Sequence, residues 1–185
     1  MTDFVHLHVH SEYSLLDGMS TPVEMAHAAS TNGQTSLAIT DHGSMAGVLK
    51  FQDACKAKNV KPIFGIEAYF TPSLVDDDMD AKAERFHLIL LAKNNDGLTK
   101  LFKLNKEAWT NGFYYKPRMD FAMLERVAKN DIIALSGCRG SAIAKAIESG
   151  DSSRAERLTK KFIDIFGDDF YFEIQSWNPA EINDG

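Results

Sequence analysis

The stretch Thr35–Phe70, TSLAITDHGSMAGVLKFQDACKAKNVKPIFGIEAYF, sets the fold class. It opens with a short buried strand, Thr35–Asp41. Met45–Asn59 follows as a helix, with Val48, Phe51 and Cys55 at helical spacing. Lys61–Phe70 then returns to an extended apolar run. Strand, helix, strand in this order predicts parallel α/β architecture, and short continuous apolar strands suit a sheet covered on both faces.

The same alternation extends outward. Phe4–His10 reads as a strand. Thr21–Gly33 reads as a helix, with Thr21 as N-cap, Pro22 in the first turn, Glu24 as an early acid and Gly33 as the stop. Downstream, Phe86–Ala92, Asp131–Ser136 and Phe170–Gln175 read as strands. Asp96–Asn111, Asp120–Lys129, Ser141–Ser149 and Ser152–Phe166 read as helices, the last two broken at Gly150. The acidic, aperiodic stretch Pro72–Glu84 is expected to be a flexible excursion. About six strands are present in 185 residues. A closed eight-fold barrel takes roughly 250 residues, and the chain stops at Asn183-Asp184-Gly185 just after a strand. The expectation is one domain, residues 1–185, forming an incomplete barrel.

Composition narrows the function classes. Hydrophobic residues at 44% and charged residues at 25% exclude a disordered or fibrous chain. No apolar run reaches the ~18 residues of a membrane span. The start, MTDFVHLHVHSEYS, has neither the basic nor the apolar region of a secretory signal. The two cysteines, Cys55 and Cys138, are far apart and form no disulfide framework, so a cytoplasmic, reducing setting is expected. With 20 Lys+Arg against 26 Asp+Glu, the net charge of −6 gives little non-specific pull toward a phosphate backbone. Any nucleic-acid contact must be local, through metals, or through partner domains.

The chemistry-bearing residues gather at strand ends, where parallel α/β proteins place their sites. Of six histidines, three fall in five residues: His6, His8 and His10. His8 and His10 end the first strand and alternate, so both face one side. Asp41 and His42 end the second strand, Glu67 lies in the third, and Cys138 follows the fifth by two residues. Each has an ordinary reading. Asp41 or His42 could cap a helix, Glu67 could form a surface ion pair, and Cys138 could be a small buried hydrophobe. Taken together, imidazole, carboxylate and thiolate from separate strands point to a borderline transition-metal site. His87 opens its strand instead of ending it. It joins the others only if the chain runs past the rim after Glu67 and returns antiparallel. His6 is expected to be buried or to sit behind the ligands, and His27 to be an ordinary helix residue.

Six segments in order, HLHVHSEYSLLDG (6–18), AITDHGSMAG (38–47), KPIFGIEAY (61–69), FHLILLAKNNDG (86–97), GFYYKPRMD (112–120) and ALSGCRG (134–140), resemble the PHP (polymerase and histidinol phosphatase) domain of bacterial C-family replicative DNA polymerases, at the start of the DNA polymerase III alpha subunit. The resemblance implies a distorted (β/α)7 barrel holding up to three divalent metals. It implies His8, His10 and Glu67 on a first ion, with Glu67 bridging to a second that is completed by His87 and Cys138. Asp17, from the Ser14–Gly18 turn, and His42 would hold the third. The family's remaining Asp-x-His pair would lie beyond residue 185, so at most two ions are expected, of Zn, Mn or Fe.

The activity implied is metal-assisted phosphoester hydrolysis, read in a polymerase as 3′–5′ exonucleolytic proofreading. His8, His10 and Glu67 would be catalytic, and Arg139, more than Arg118, would pair with substrate phosphate. The implied partners are a DNA primer end, reached through the parent DNA-directed DNA polymerase, and the remaining domains of the alpha subunit. Polymerisation itself would belong to carboxylates far downstream. Two rival readings stand beside this one: a non-catalytic, metal-stabilised scaffold domain, and a small-molecule phosphatase of the histidinol-phosphatase type.

Overall fold

In the computed structural model, residues 4–74 and 85–175 are described. Most helices begin where a side chain can satisfy an orphan backbone N–H. Thr21 and Glu24 form a reciprocal capping box at the start of α1 (Pro22–Thr31). After β1 (Ser36–Ile39) comes α2 (Val48–Ala57), which starts at Gly47 with no side-chain cap. The long strands β2 (Lys61–Phe70) and β3 (Phe86–Ala92) follow. Asn94 caps α3 (Asn95–Thr110), which leads into a hairpin of β4 (Phe113–Tyr114) and β5 (Lys116–Met119). Asp120 caps α4 (Phe121–Val127), and β6 (Ile132–Leu135) follows. Ser141 caps α5 (Ala142–Glu148), Asp151 caps α6 (Ser152–Phe166), and a short 3-10 turn leads into β7 (Phe170–Tyr171).

The sheet runs β4–β5–β2–β3–β6–β7, with β1 also on β2. Pairing is parallel for β1–β2, β2–β5 and β6–β7, but β3 is antiparallel to both of its neighbours. The parallel alternation expected from the sequence breaks at this strand, which takes the antiparallel return weighed for His87. Phe70 pairs with Phe86, so β2 ends and β3 begins at the same end of the sheet, and no crossover is needed.

Other expectations also change. Phe4–His10 is not a regular strand. Ala38 N–H donates to His6 O and Thr40 N–H to Val9 O, so three steps on one segment face two on the other. The ladder slips, and Val9 N–H is met by the Thr40 hydroxyl at 2.8 Å. The last strand is regular only over Phe170–Tyr171. The β4–β5 hairpin was not anticipated; Tyr115 makes its turn in a left-handed conformation, φ 58°. The expected excursion at Pro72–Glu84 lies largely outside the described residues, as does Asn183–Gly185. Among the described residues the barrel is not closed.

Alternation along β2 and β3 separates two environments. Ile66, Ala68 and Phe70, with Leu88 and Leu90, join the main core under the helices, where Phe70, Phe121, Phe162 and Phe170 cluster. Ile89, Leu91 and Leu135, with Ala38, Ile63 and Ile133, make a smaller apolar floor on the inner face. Glu67, Tyr69 and His87 stand above that floor. A cavity of about 1050 Å³ opens on the inner face between the Phe4–His8 segment and Tyr171–Gln175. His6 is exposed on it, not buried, because no described strand covers that side. Both cysteines are free, and Cys55 lies in the main core, where burial pushes its thiol up to about 11. No helix among the described residues is long and apolar enough to cross a membrane.

Candidate metal centre

Glu67 is the centre of the cluster and is only 1% exposed. It occupies an inward position on β2, and its backbone is held by bonds from its N–H to Asp41 O and from Gly43 N–H to its own carbonyl. Its Oε2 lies 3.1 Å from His8 Nε2, 2.9 Å from His10 Nε2 and 3.2 Å from His42 Nε2. Its Oε1 lies 3.0 Å from His87 Nδ1 and 3.9 Å from Cys138 Sγ. One carboxylate thus touches four imidazoles and a thiol drawn from four other segments of the chain.

Asp17 forms a second focus. Its Oδ2 accepts from Ser14 Oγ at 2.9 Å and lies 2.9 Å from His42 Nδ1 and 3.2 Å from His10 Nδ1. The turn that carries it is tight, since a Cβ on Gly18 would run into the Ser11 carbonyl. Ser11 in turn anchors buried Asp41, its N–H donating at 2.6 Å and its hydroxyl at 2.8 Å. Asp41 therefore organises the loops, and the neighbouring His42 turns its ring nitrogens toward Asp17 and Glu67. At the other side, His87 Nδ1 lies 3.3 Å from Cys138 Sγ, which also accepts from Gly140 N–H. A Cβ on Gly140 would stand 2.8 Å from His87 Nδ1, so this glycine lets the Cys138 loop close on the imidazole.

Three overlapping groups have ligand atoms within 4.8 Å of one another: His8–His10–Glu67, His10–Asp17–His42 and His42–Glu67–His87. With metal–ligand bonds of about 2.0–2.2 Å, two donors on one ion sit roughly 3–3.5 Å apart, the spacing found around Glu67. Hydrogen bonding alone accounts poorly for the set. A carboxylate oxygen with two lone pairs cannot accept well from three imidazoles at once. His10 Nδ1 is buried and lacks a hydrogen-bond partner despite Asp17 at 3.2 Å, because the pair is misaligned. The donor set fits cations shared among these groups.

The electrostatics have the same centre. Burial works to raise the Glu67 carboxyl, but bonds from His10, His8 and His87 drive it well below the usual carboxylate range. Burial works to lower His8, but Glu173 and Glu67 reverse this and push it up to about 10. His87 is pushed up to about 9 by its bond to Cys138 and then by Glu67. Cys138 is correspondingly lowered by His87, and His42 is lowered by burial. For Asp17, burial is outweighed by the bonds from His42 and Ser14, and its carboxyl is lowered.

The structure brings together His8, His10, Asp17, His42, Glu67, His87 and Cys138. It does not bring in Arg139, whose side chain is 85% exposed and whose Nε donates to Glu148 Oε1 at 2.9 Å. Arg118 is buried, with its Nε donating to Gly112 O, and serves the hairpin. One residue is added that sequence reasoning did not single out. Glu173 Oε1 lies 2.8 Å from His8 Nδ1, while its backbone N–H donates to Ser136 Oγ. Its position just past the C-terminal end of β7, at the site end of the sheet, was the available signal. Carboxylate–histidine–metal relays of this form fix the ligand's tautomer and ring orientation.

Residues 6–177 match the family described as PHP domain. The chain is 41% identical to the DNA polymerase III subunit alpha of Aquifex aeolicus over 186 residues, covering 97% of this chain and 16% of that protein. It is 42% identical to the Treponema pallidum subunit over 175 residues, covering 93% of this chain and 15% of that protein. The chain thus spans about a sixth of these relatives, in their N-terminal region. A solved structure from Bifidobacterium adolescentis, provisionally described as a metal-dependent phosphoesterase, covers 91% of this chain and 88% of its own at 13% identity and a TM-score of 0.47.

Proposed function

The chain belongs to the PHP domain family, and from that premise we propose that its histidine–carboxylate cluster binds divalent metal ions and hydrolyses phosphodiesters at the end of a DNA strand. The observation that carries the reading is Glu67, a buried carboxylate whose Oε2 faces three imidazoles and whose Oε1 faces a fourth. His8, His10 and Glu67 would hold one ion. Glu67, His87 and Cys138 would hold a second, with His42 and Asp17 at the remaining edge. Bound ions would supply a water of lowered pKa and positive charge for the phosphate oxygens. The chain's own residues do the rest. Glu67 keeps its negative charge through neutral pH, His8 is oriented by Glu173, and Cys138 is drawn toward thiolate by His87.

In the setting of the polymerase alpha subunits it resembles, this chemistry is 3′–5′ exonucleolytic proofreading in the cytoplasm, with the other polymerase domains as partners. The test is cleavage of a 5′-labelled DNA oligonucleotide by the purified chain with Mn or Zn added. Metal-dependent shortening that disappears in His8→Ala and His10→Ala is the expected result. Metal-dependent melting with no cleavage would support the scaffold reading instead, which the net charge of −6 favours. Turnover of small phosphomonoesters with DNA ends ignored would favour the phosphatase reading.

A further inference from the structure

Beside the metal cluster lies an exposed band of aromatic rings interleaved with cations. Trp109 on α3 and Phe113 on β4 stack at 5.5 Å with 22° between planes, yet are 51% and 53% exposed. Tyr115, at the hairpin turn, is 72% exposed and meets Tyr114 edge-on at 4.8 Å. The Arg85 guanidinium sits 5.8 Å from the Tyr115 ring centre and that of Arg118 5.3 Å from Tyr114. Arg85 and Arg118 are close enough for their charges to repel, which helps hold Arg118 below its ordinary value after burial. Asp120, the acid that acts on Arg118, is engaged with the N–H groups of Met123 and Leu74.

The band connects with the metal cluster. Lys116 Nζ stands 5.3 Å from the Tyr69 ring centre, and Tyr69 pairs in register with Arg118 on one side and His87 on the other. The Tyr69 ring lies 5.2 Å from that of His42 and 6.0 Å from that of His87. Trp109 Nε1 donates to the carbonyl of Gly43, the residue after His42. Exposed rings stack bases whatever their identity, and cations between the rings meet the phosphates.

We propose that the band formed by Trp109, Phe113, Tyr114 and Tyr115, with Arg85 and Lys116, is a stacking platform for single-stranded nucleic acid that leads a strand end past Tyr69 to the metal cluster. The binding stands on the band alone; only the strand's destination rests on the hydrolytic reading above. The local cations also reconcile a strand-binding face with a domain whose net charge is −6.

The test is fluorescence anisotropy of a dye-labelled oligothymidylate with the purified chain in EDTA, so that no metal chemistry contributes. Tyr115→Ala is expected to weaken binding about tenfold, since one stacked base is lost, and Tyr115→Phe to preserve it. Arg85→Ala should weaken binding and reduce the salt dependence by about one unit of slope. Lys145→Ala removes a like charge on α5 and should leave binding unchanged. Wild-type affinity in Tyr115→Ala, equal weakening in Tyr115→Phe, or equally tight binding of a duplex would each overturn the platform.

A parallel assay with bis-(p-nitrophenyl) phosphate and Mn separates this from the hydrolytic reading. Hydrolysis without oligonucleotide binding overturns the platform alone. Tyr115-dependent binding without hydrolysis supports the platform and removes its catalytic destination.

Discussion

Glu67 reaches His87 diagonally across an antiparallel strand pair, Oε1 lying 3.0 Å from Nδ1, although Glu67 is registered with Ile89 and His87 with Tyr69. The contact exists because β3 runs backwards. Its first residues stand beside the last residues of β2 and close to the loop after β6, so a residue that opens a strand meets residues that end theirs.

Cys138 gives the His87 side of the cluster its softness. Cys138→Ser should cost more affinity for zinc than for manganese, because thiolate is favoured by the softer ion and a hydroxyl is not. Cobalt substitution provides the readout: the near-ultraviolet thiolate-to-cobalt band expected of the wild-type chain should vanish in the variant. A band of equal strength in Cys138→Ser would place the ion elsewhere.

Glu173 touches the site only through His8, its Oε1 lying 2.8 Å from Nδ1. Glu173→Ala should weaken metal binding by roughly ten- to a hundredfold, the usual effect of removing a partner that orients a ligating imidazole. Glu173→Gln should recover part of that loss by retaining an acceptor. Competition against a chromogenic chelator measures both. The expected split is a weakened first ion with the Cys138–cobalt band retained.

Protons and metal compete for the same nitrogens. His8 and His87 are raised from 6.5 to about 10 and about 9, so the metal-free protein carries both protons at neutral pH. Their stabilisation of the folded state is complete below the unfolded value of 6.5 and is lost as pH rises through about 9 and then about 10. Melting of the metal-free chain should therefore become easier across that alkaline window. Metal affinity should rise through the same window, and binding at pH 7 should release about two protons. Titration calorimetry in buffers of different ionisation enthalpy counts them.

Phe162 lies among Phe70, Phe121 and Phe170, with ring centres 5.2, 5.0 and 5.4 Å away. Phe162→Ala should destabilise the fold by about 3–5 kcal/mol, a large-to-small change in a packed core. Denaturant titration gives the size. Metal stoichiometry in the remaining folded protein should stay at the wild-type value, because Phe162 belongs to the helix-side core and not to the inner face.

Local chemistry made much of this legible. Thr21, Asp120 and Ser141 announced three helix starts, and the bounds of β2, β3 and α6 coincide with the apolar runs read for them. Seven of the residues quoted for chemistry lie together in space. What stayed hidden was relational. An alternating run shows which residues share a face, not which way the strand runs beside its neighbour, so it leaves both geometries open to His87. The slipped pairing of His6–Val9 against Ala38–Thr40 depends on a partner segment far along the chain. Glu173 is one polar residue in an aromatic strand, and its partner His8 lies 165 positions away. Adjacency to Cys138 points Arg139 at the site, yet neighbours in sequence diverge at a loop, and its guanidinium turns outward to Glu148.

In β2, odd-numbered positions face the inner side and even-numbered positions face the helices. Insertion or deletion of a single residue upstream of Glu67 in this strand would send the carboxylate into hydrocarbon and turn Ile66 or Ala68 toward the imidazoles. Loop lengths elsewhere can drift over evolutionary time, but this strand is held to a fixed count, one that any library or graft preserving the centre would have to respect.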